Sequence, residues 1–305
     1  QAEEESVESS GTDVSGLQLS RYANWIFRSF LRAQLRMTHR DFDDPIAPSP
    51  EESNSQFTIN RARFKLRGHA YRPWLEYYLE YDFVNSWLLE LRFTLRASDG
   101  LRLRVGQWMV PYNRGRVDSS GKQQFVERSI VTPRFTLDRQ QGGRCSAACG
   151  RGREPTPGTT WGFSPLPRFP VAGRDSYEVR QAMLETAYQY RGFSWQREMH
   201  WKTVDDTESG EVVDMKGLYA QAGYFVHVLF PAFPKPLEIA LRWAEVDPDT
   251  AVAGDLEQET TMVANWFFSG HRNKLTFDFS RLRNMANQSG RRWANRIRLK
   301  WDVSF

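Results

Sequence analysis

The residues of this chain best placed to act on a solute are cations spaced two apart. In FTINRARFKLRGHA, residues 57–70, an extended backbone puts Arg61, Arg63, Lys65, Arg67 and His69 on one side and Ala62, Phe64, Leu66, Gly68 and Ala70 on the other. The pattern recurs with Arg28, Arg32, Gln34 and Arg36 in 22–38, with Arg102 and Arg104 in 101–107, and with Arg296, Arg298 and Lys300 in 296–305. Fixed charges in such a row can hold an anion weakly and release it to the next, which is transport chemistry without bond making. A soluble sheet rarely aligns four cations without acids between them. In a barrel wall the apolar side meets lipid and the charged side meets a wet lumen. The reverse orientation would cost about 2–4 kcal/mol for each Arg or Lys brought to the bilayer midplane.

Composition narrows the classes further. Mean hydropathy is -0.62, and no apolar run approaches the roughly 18–20 residues of a membrane-spanning helix, whereas the half-apolar strands of a barrel need no such run. Five of the 37 acids lie in residues 1–20, which hold no Lys or Arg, so the remainder carries 41 bases against 32 acids, a net +9. That surplus suits anions. It does not suit nucleic acid, because the bases stand singly at alternating strand positions rather than in patches with stacking aromatics. Eleven Trp within 14% aromatic residues fit interfacial girdles and, equally, a sugar-binding sandwich. For catalysis His39, His69, His200, His227 and His271 are scattered without patterned partners, so no enzyme is expected. Cys145 and Cys149 are compatible with an incidental pair or a local disulfide; as metal ligands they are too few for a coordination shell, and neither metal nor cofactor is expected.

Residues 1–20 lack periodicity and read as an acidic mobile tail, opening at Gln1 as a mature exported chain is expected to after leader removal. Residues 21–305 read as one barrel. Strands are expected at about 22–38, 57–70, 74–83, 87–97 and 101–107, with a long polar loop between the first two and short turns between the others. On 87–97 the outward set is Leu89, Leu91, Phe93, Leu95 and Ala97. The segment 108–127 exceeds a hairpin turn and carries Arg114, Arg116 and Lys122, as a functional loop would. A further strand is expected at 129–138. In 141–176 alternation vanishes and five prolines interrupt any ladder, so this stretch is expected to be an insert, a plug or locally altered coding sequence. Strands resume at 178–191, 193–203, 217–225, 237–246, 258–268, 273–282 and 296–305. The connection 226–236, VHVLFPAFPKP, is long for a turn and its composition suits the membrane interface.

RARFKLRG at 61–68, VGQWMVPYNR at 105–114, GLYAQAGYF at 217–225, FPAFPKPLEIALRW at 230–243 and RIRLKWDVSF at 296–305 together resemble the phosphate-selective porin O and P family of Gram-negative outer membranes, over about 20–140 and 178–305. The resemblance implies an all-β fold: a transmembrane antiparallel up-and-down β-barrel, commonly 16-stranded and trimeric. It also implies a third extracellular loop folded inward as a constriction, and arginines that guide anions such as phosphate. The strand ending in Phe305 resembles the signal read by the outer-membrane barrel assembly machinery. Implied partners are outer-membrane lipid, small anions and two further copies in a homotrimer, with no nucleic acid. Thirteen strands are countable, and bacterial barrels have even numbers, so 14 to 16 are expected, with an odd number between 129–138 and 178–191. Closure would join the bases of 296–305, 22–38 and 57–70 into one wall, beside which lie Glu76, Glu80, Asp82 and Glu90. A non-conducting barrel plugged by 141–176, with a structural or partner-binding role, is the alternative.

Overall fold

A computed structural model describes residues 17–22, 25–42, 55–98, 100–136, 139–147, 177–206, 209–283 and 293–305. A short β1 (Leu17–Tyr22) lies beside the start of β2 (Trp25–Phe42), followed by β3 (Ser55–His69), β4 (Leu75–Asp82), β5 (Trp87–Ser98) and β6 (Leu101–Met109). Two short helices, α1 (Arg114–Val117) and α2 (Val131–Phe135), lie in the connection to β7 (Arg139–Ala147). The second half comprises β8 (Tyr177–Tyr190), β9 (Phe193–Asp206), β10 (Val212–Phe225), β11 (Leu237–Asp247), β12 (Glu257–Ser269), β13 (Asn273–Arg283) and β14 (Trp293–Ser304). The strands form one antiparallel sheet in the order β7-β6-β5-β4-β3-β2-β14-β13-β12-β11-β10-β9-β8, with β1 on β2. The last strand thus pairs with the first long one, Lys300 opposite Arg36 and Asp302 opposite Gln34. Phe305 joins the ladder through its N–H, which donates to the Leu31 carbonyl at 2.8 Å.

Burial along the strands is the inverse of a soluble protein's. On β14 Lys300 and Asp302 are 0% exposed while Trp301 between them is 46% exposed; on β13 Asp278 and Ser280 are buried and Phe277 and Phe279 are not. Alternation with period two sends Lys274, Asp278, Arg296, Arg298, Lys300 and Asp302 inward and Leu275, Phe277, Phe279, Ile297, Leu299 and Trp301 outward, as a lipid-facing wall requires; toward the end of β13 the pattern relaxes, with Arg281 exposed and Leu282 buried. No helix among the described residues is long and apolar enough to cross a membrane, which says nothing of a barrel. The connections 110–136 and 248–256 lie at one end, with the shorter 83–86. The other end has the short turns 70–74, 191–192 and 270–272, the longer 226–236 and the C-terminus, and the two ends are the usual extracellular and periplasmic ones respectively.

The ladder departs from the expected strands at several points. Residues 131–135 are helical rather than part of a strand at 129–138, because this segment leaves the wall and packs inside it; the descending strand is β7, which takes up residues 141–147 of the expected irregular stretch. Residues 148–176 and 1–16 lie outside the described residues, and residues 17–20 belong to β1. Among the described residues β7 and β8 are not paired to each other, so the sheet is open at that seam. They run in the same direction, and an odd number of strands between them would be needed for antiparallel closure. Bulges shift two faces. Opposite Gln34 and Leu35 the register skips Asn60, so Ile59 points outward and Asn60 and Arg61 both serve the lumen side. Opposite Glu80 and Tyr81 it skips Leu89, which is buried and not in the outward set.

Candidate channel constriction

The chain from residue 110 to 136 fills much of the space the sheet curves around. Its anchoring begins with backbone carbonyls. The Lys274 ammonium donates to the Gln123 carbonyl at 2.6 Å and the Asn265 amide to Gln124 O at 2.7 Å. Lys300 donates to Phe125 O at 3.4 Å and Val126 O at 3.0 Å, and Arg242 to Glu127 O at 3.0 Å. Every carbonyl from Gln123 to Glu127 is therefore held by a side chain of β11, β12, β13 or β14. A loop crossing a lumen cannot form a ladder of its own, and buried carbonyls left without donors would each cost about 1–3 kcal/mol. The wall supplies the donors. Arg242 also lies over the Phe125 ring at 4.2 Å, and Gln34 reaches Ser120 O.

Carboxylates complete the clamp. Glu127 accepts from Arg36 at 3.2 Å, Arg61 at 3.1 Å and Asn60 at 2.7 Å, the last two made neighbours by the β3 bulge. Burial disfavours its charge, but Arg61 and Lys300, with hydrogen bonds from Asn60 and Arg61, outweigh burial and hold its carboxyl down at about 2. Burial pushes the nearby Asp118 carboxyl up. At the start of the loop Glu198 accepts from the Asn113 amide at 2.9 Å and the Gly115 N–H at 2.8 Å; at its end Glu259 accepts from the Ile130 N–H and Glu257 from Arg134.

Apolar packing fixes the rest. Ile130, Val131 and Phe135 form a buried cluster with Tyr219, Ala244 and Val246 of β10 and β11, and Phe125 packs with Ala240 and Val263. The motif GLYAQAGYF makes this possible. A Cβ at Gly217 would collide with the Phe135 ring, and one at Gly223 with the Gln124 amide, so the two glycines are recesses in which the loop sits.

The structure divides the expected cations. Arg296 contacts Glu259 at 3.3 Å, Arg298 makes a two-pronged pair with Asp278 at 2.9 and 2.6 Å, and Lys300 is taken by the loop. Arg32 pairs with Asp302 at 2.9 Å, and Arg36 and Arg61 converge on Glu127. Arg63 pairs with Glu80 and Asp82, and Lys65 with Glu80, all from the adjoining strand. Arg104 donates to Thr94 at 3.3 Å. Arg28 stands opposite Arg67 in the ladder, Arg67 lies over Phe30 at 4.8 Å, and Arg102 stands opposite Arg96. Among the described residues no carboxylate pairs with Arg28, Arg67 or Arg102. In the loop, Arg114 lies 3.7 Å from Glu185 and is exposed, and Lys122 lines a cavity of about 650 Å³ between the loop and β8–β13, together with Arg114, Arg128 and Lys274. Arg116 offers its carbonyl to Arg128. A second cavity, about 280 Å³, lies across the loop between Arg36, Arg40, Arg128, Arg134, Arg296 and Glu259.

Residues not singled out by their cationic spacing carry much of the clamp: Glu127, Glu198, Arg242, Glu259 and Lys274. Arg242 and Lys274 do lie on the inward side of alternating strands, which was the available signal; their use as loop anchors was not encoded in spacing. Among the described residues no group of three or more His, Cys, Asp or Glu could hold a metal ion.

Comparison with known proteins follows this geometry. The anion-selective porin from Comamonas acidovorans shares the fold, with a TM-score of 0.56 at 11% identity, covering 92% of this chain and 100% of that one. OpdQ of Pseudomonas aeruginosa aligns with a TM-score of 0.48 at 12% identity over 92% and 97% of the two chains. The outer-membrane channel DcaP of Acinetobacter baumannii aligns with a TM-score of 0.46 at 11% identity over 96% and 100%. No curated protein sequence matches. The profile of one family matches residues 31–154 and 171–301, most of the chain. This inside-out antiparallel sheet with a loop clamped into its lumen belongs to the phosphate-selective porin O and P family, the β-barrel channels of the Gram-negative outer membrane.

Proposed function

We propose that the channel passes small anions by diffusion, drawn by lumenal cations that have no neutralising carboxylate among the described residues, with phosphate and other oxyanions as candidate solutes. The observation that carries this is the cross-strand pair Arg28 and Arg67, on the same faces as Arg32 and Arg63. Like charges directly opposite one another destabilise a sheet, and a passing anion relieves that repulsion. Arg102 adds one further cation that pairs with no carboxylate among the described residues, although Arg96 opposite it is met by Glu76, and Arg114, Arg116 and Lys122 add positive charge on the loop. The cations that hold the loop act instead on its position, so that passage is shaped by one set of bases and selected by another. A homotrimer, and assembly through the C-terminal Phe305 strand, belong to the same proposal.

The test is single-channel recording in planar bilayers under a salt gradient, with phosphate added. The expected result is an anion-selective current that phosphate reduces, with the reversal potential moving toward the non-selective value when Arg28, Arg67 and Arg102 are replaced by Gln. A folded, heat-modifiable protein that conducts without preference for anions would reject anion selection. Silence from such a protein would favour the plugged barrel.

A further inference from the structure

We infer that the connection between β10 and β11, residues 226–236, is a membrane anchor that lies in the phospholipid headgroup region of the periplasmic leaflet. The other described connections at its end of the barrel are short: residues 70–74, 191–192 and 270–272. This one is VHVLFPAFPKP, and Val228, Leu229, Phe230 and Phe233 are exposed, Leu229 by 66% and Phe230 by 59%. Four large apolar side chains at the tip of a connection are unfavourable in water, and the expected occupant of such a surface is whatever covers the wall beside it.

Here the neighbouring surface is the lipid-facing band. The hairpin is tied on one side to the β8–β9 turn, where the Phe225 N–H donates to Gly192 O at 3.0 Å, and on the other to β12, where the Phe267 N–H donates to Pro236 O at 3.1 Å. The outward residues flanking those ties are aromatic: Tyr190 and Phe193 on one side, Trp266 and Phe268 on the other. Phe230 and Phe233, with ring centroids 6.2 Å apart, thus continue a row of aromatic side chains at the rim. Aromatic residues are favoured at the membrane–water boundary, and Lys235 at the end of the hairpin suits anionic headgroups.

The backbone is suited to leaving water as well. Pro231, Pro234 and Pro236 have no N–H to satisfy. Of the remaining N–H groups, Leu229 and Phe230 donate to Val226 O and Phe233 to Phe230 O, so the turn carries part of its hydrogen bonding within itself.

The test uses the full chain refolded into phosphatidylethanolamine and phosphatidylglycerol vesicles. In a C145S/C149S background, Phe230→Cys carries an environment-sensitive fluorophore, and Ala253→Cys in the exposed 248–256 loop carries the same label as a control. The expected result is blue-shifted emission from position 230, quenched by nitroxide placed high on the acyl chain and protected from aqueous iodide, with the reverse at 253. Emission and iodide quenching at 230 equal to the control would overturn the anchor. So would a blue shift that nitroxide lipid does not quench and that vanishes as copies are diluted among vesicles, which would assign the surface to a second copy of the chain. Phe233→Cys, labelled in the same way, provides a second position should the first variant fold poorly.

Discussion

Two stretches of this lumen are both rich in charge and use it differently. On β11 to β14 the inward bases face the loop: Arg242, Lys274 and Lys300 hold its carbonyls, and Arg298 is locked to Asp278. On β3 to β6, apart from Arg61, which reaches Glu127 of the loop, the charges pair sideways within the wall, Arg63 with Glu80 and Asp82, Arg92 with Glu90 at 3.0 Å and with the face of Tyr78, and Arg96 with Glu76. The first wall turns cations into a mount; the second turns them into a polar surface with alternating sign. The difference teaches that counting lumenal arginines does not count anion sites, because a charge already bonded to a fixed carboxylate or carbonyl attracts a solute far less.

The sharpest break of this contrast is at the buried pair of the first wall. Arg298→Gln leaves Asp278 buried without its ion pair, a loss of about 3–5 kcal/mol, and should lower the temperature at which the folded band is lost on electrophoresis. The matching Arg96→Gln, whose pair with Glu76 leaves the two side chains 47% and 37% exposed, should move that temperature little. An equal shift in both would mean that the walls do not differ. Next is the double change Lys274→Met and Lys300→Met, which strips donors from three loop carbonyls at about 1–3 kcal/mol each; loosened from the wall, the loop should admit more current, seen as larger single-channel conductance with the barrel still folded. Gly217→Ala pushes a methyl into the Phe135 ring for about 1–3 kcal/mol, and should expose 131–135 to protease while leaving the outward face of β10 intact.

Acid should sharpen the comparison more gently. Because Glu127 has a carboxyl held down at about 2 against an ordinary 4.5, its contribution to loop anchoring is fully present above about 4.5 and is lost as pH falls through about 2. Conductance should therefore lose no Glu127 contribution between pH 7 and 5, and Glu127→Gln should show at neutral pH the loosened loop that the native chain shows only in strong acid. The smallest effect is expected from Arg63→Gln, whose charge is already met by two carboxylates: the reversal potential should change less than it does for Arg67→Gln.

Much of the fold was legible because lipid imposes a period-two pattern that no propensity rule obscures. The strand 296–305 and the outward set Leu275, Phe277 and Phe279 needed nothing beyond alternation. The seat of the constriction was legible only as a location, a long cationic segment after the strand at 101–107. Its extent was not: IVTPRF at 130–135 has the apolar and β-branched content of a strand, and becomes helical because Val131 and Phe135 find an apolar recess on β10 and β11. Bulges were equally hidden. Nothing local to Asn60 or Leu89 distinguishes the residue that is skipped, since a bulge is decided by how two strands meet.

Away from the bulges at Asn60 and Leu89, the sequence by itself determined which residues face lipid and which face the lumen, because side-chain direction alternates along an extended chain whatever lies beside it. It also set the formal net charge of +9 beyond residue 20. Only the tertiary structure decided which bases remain to meet a solute. That choice depends on contacts between residues far apart in the chain, such as Lys300 with Val126 and Arg61 with Glu127, and on two glycines whose missing side chains let the loop come close enough to be held.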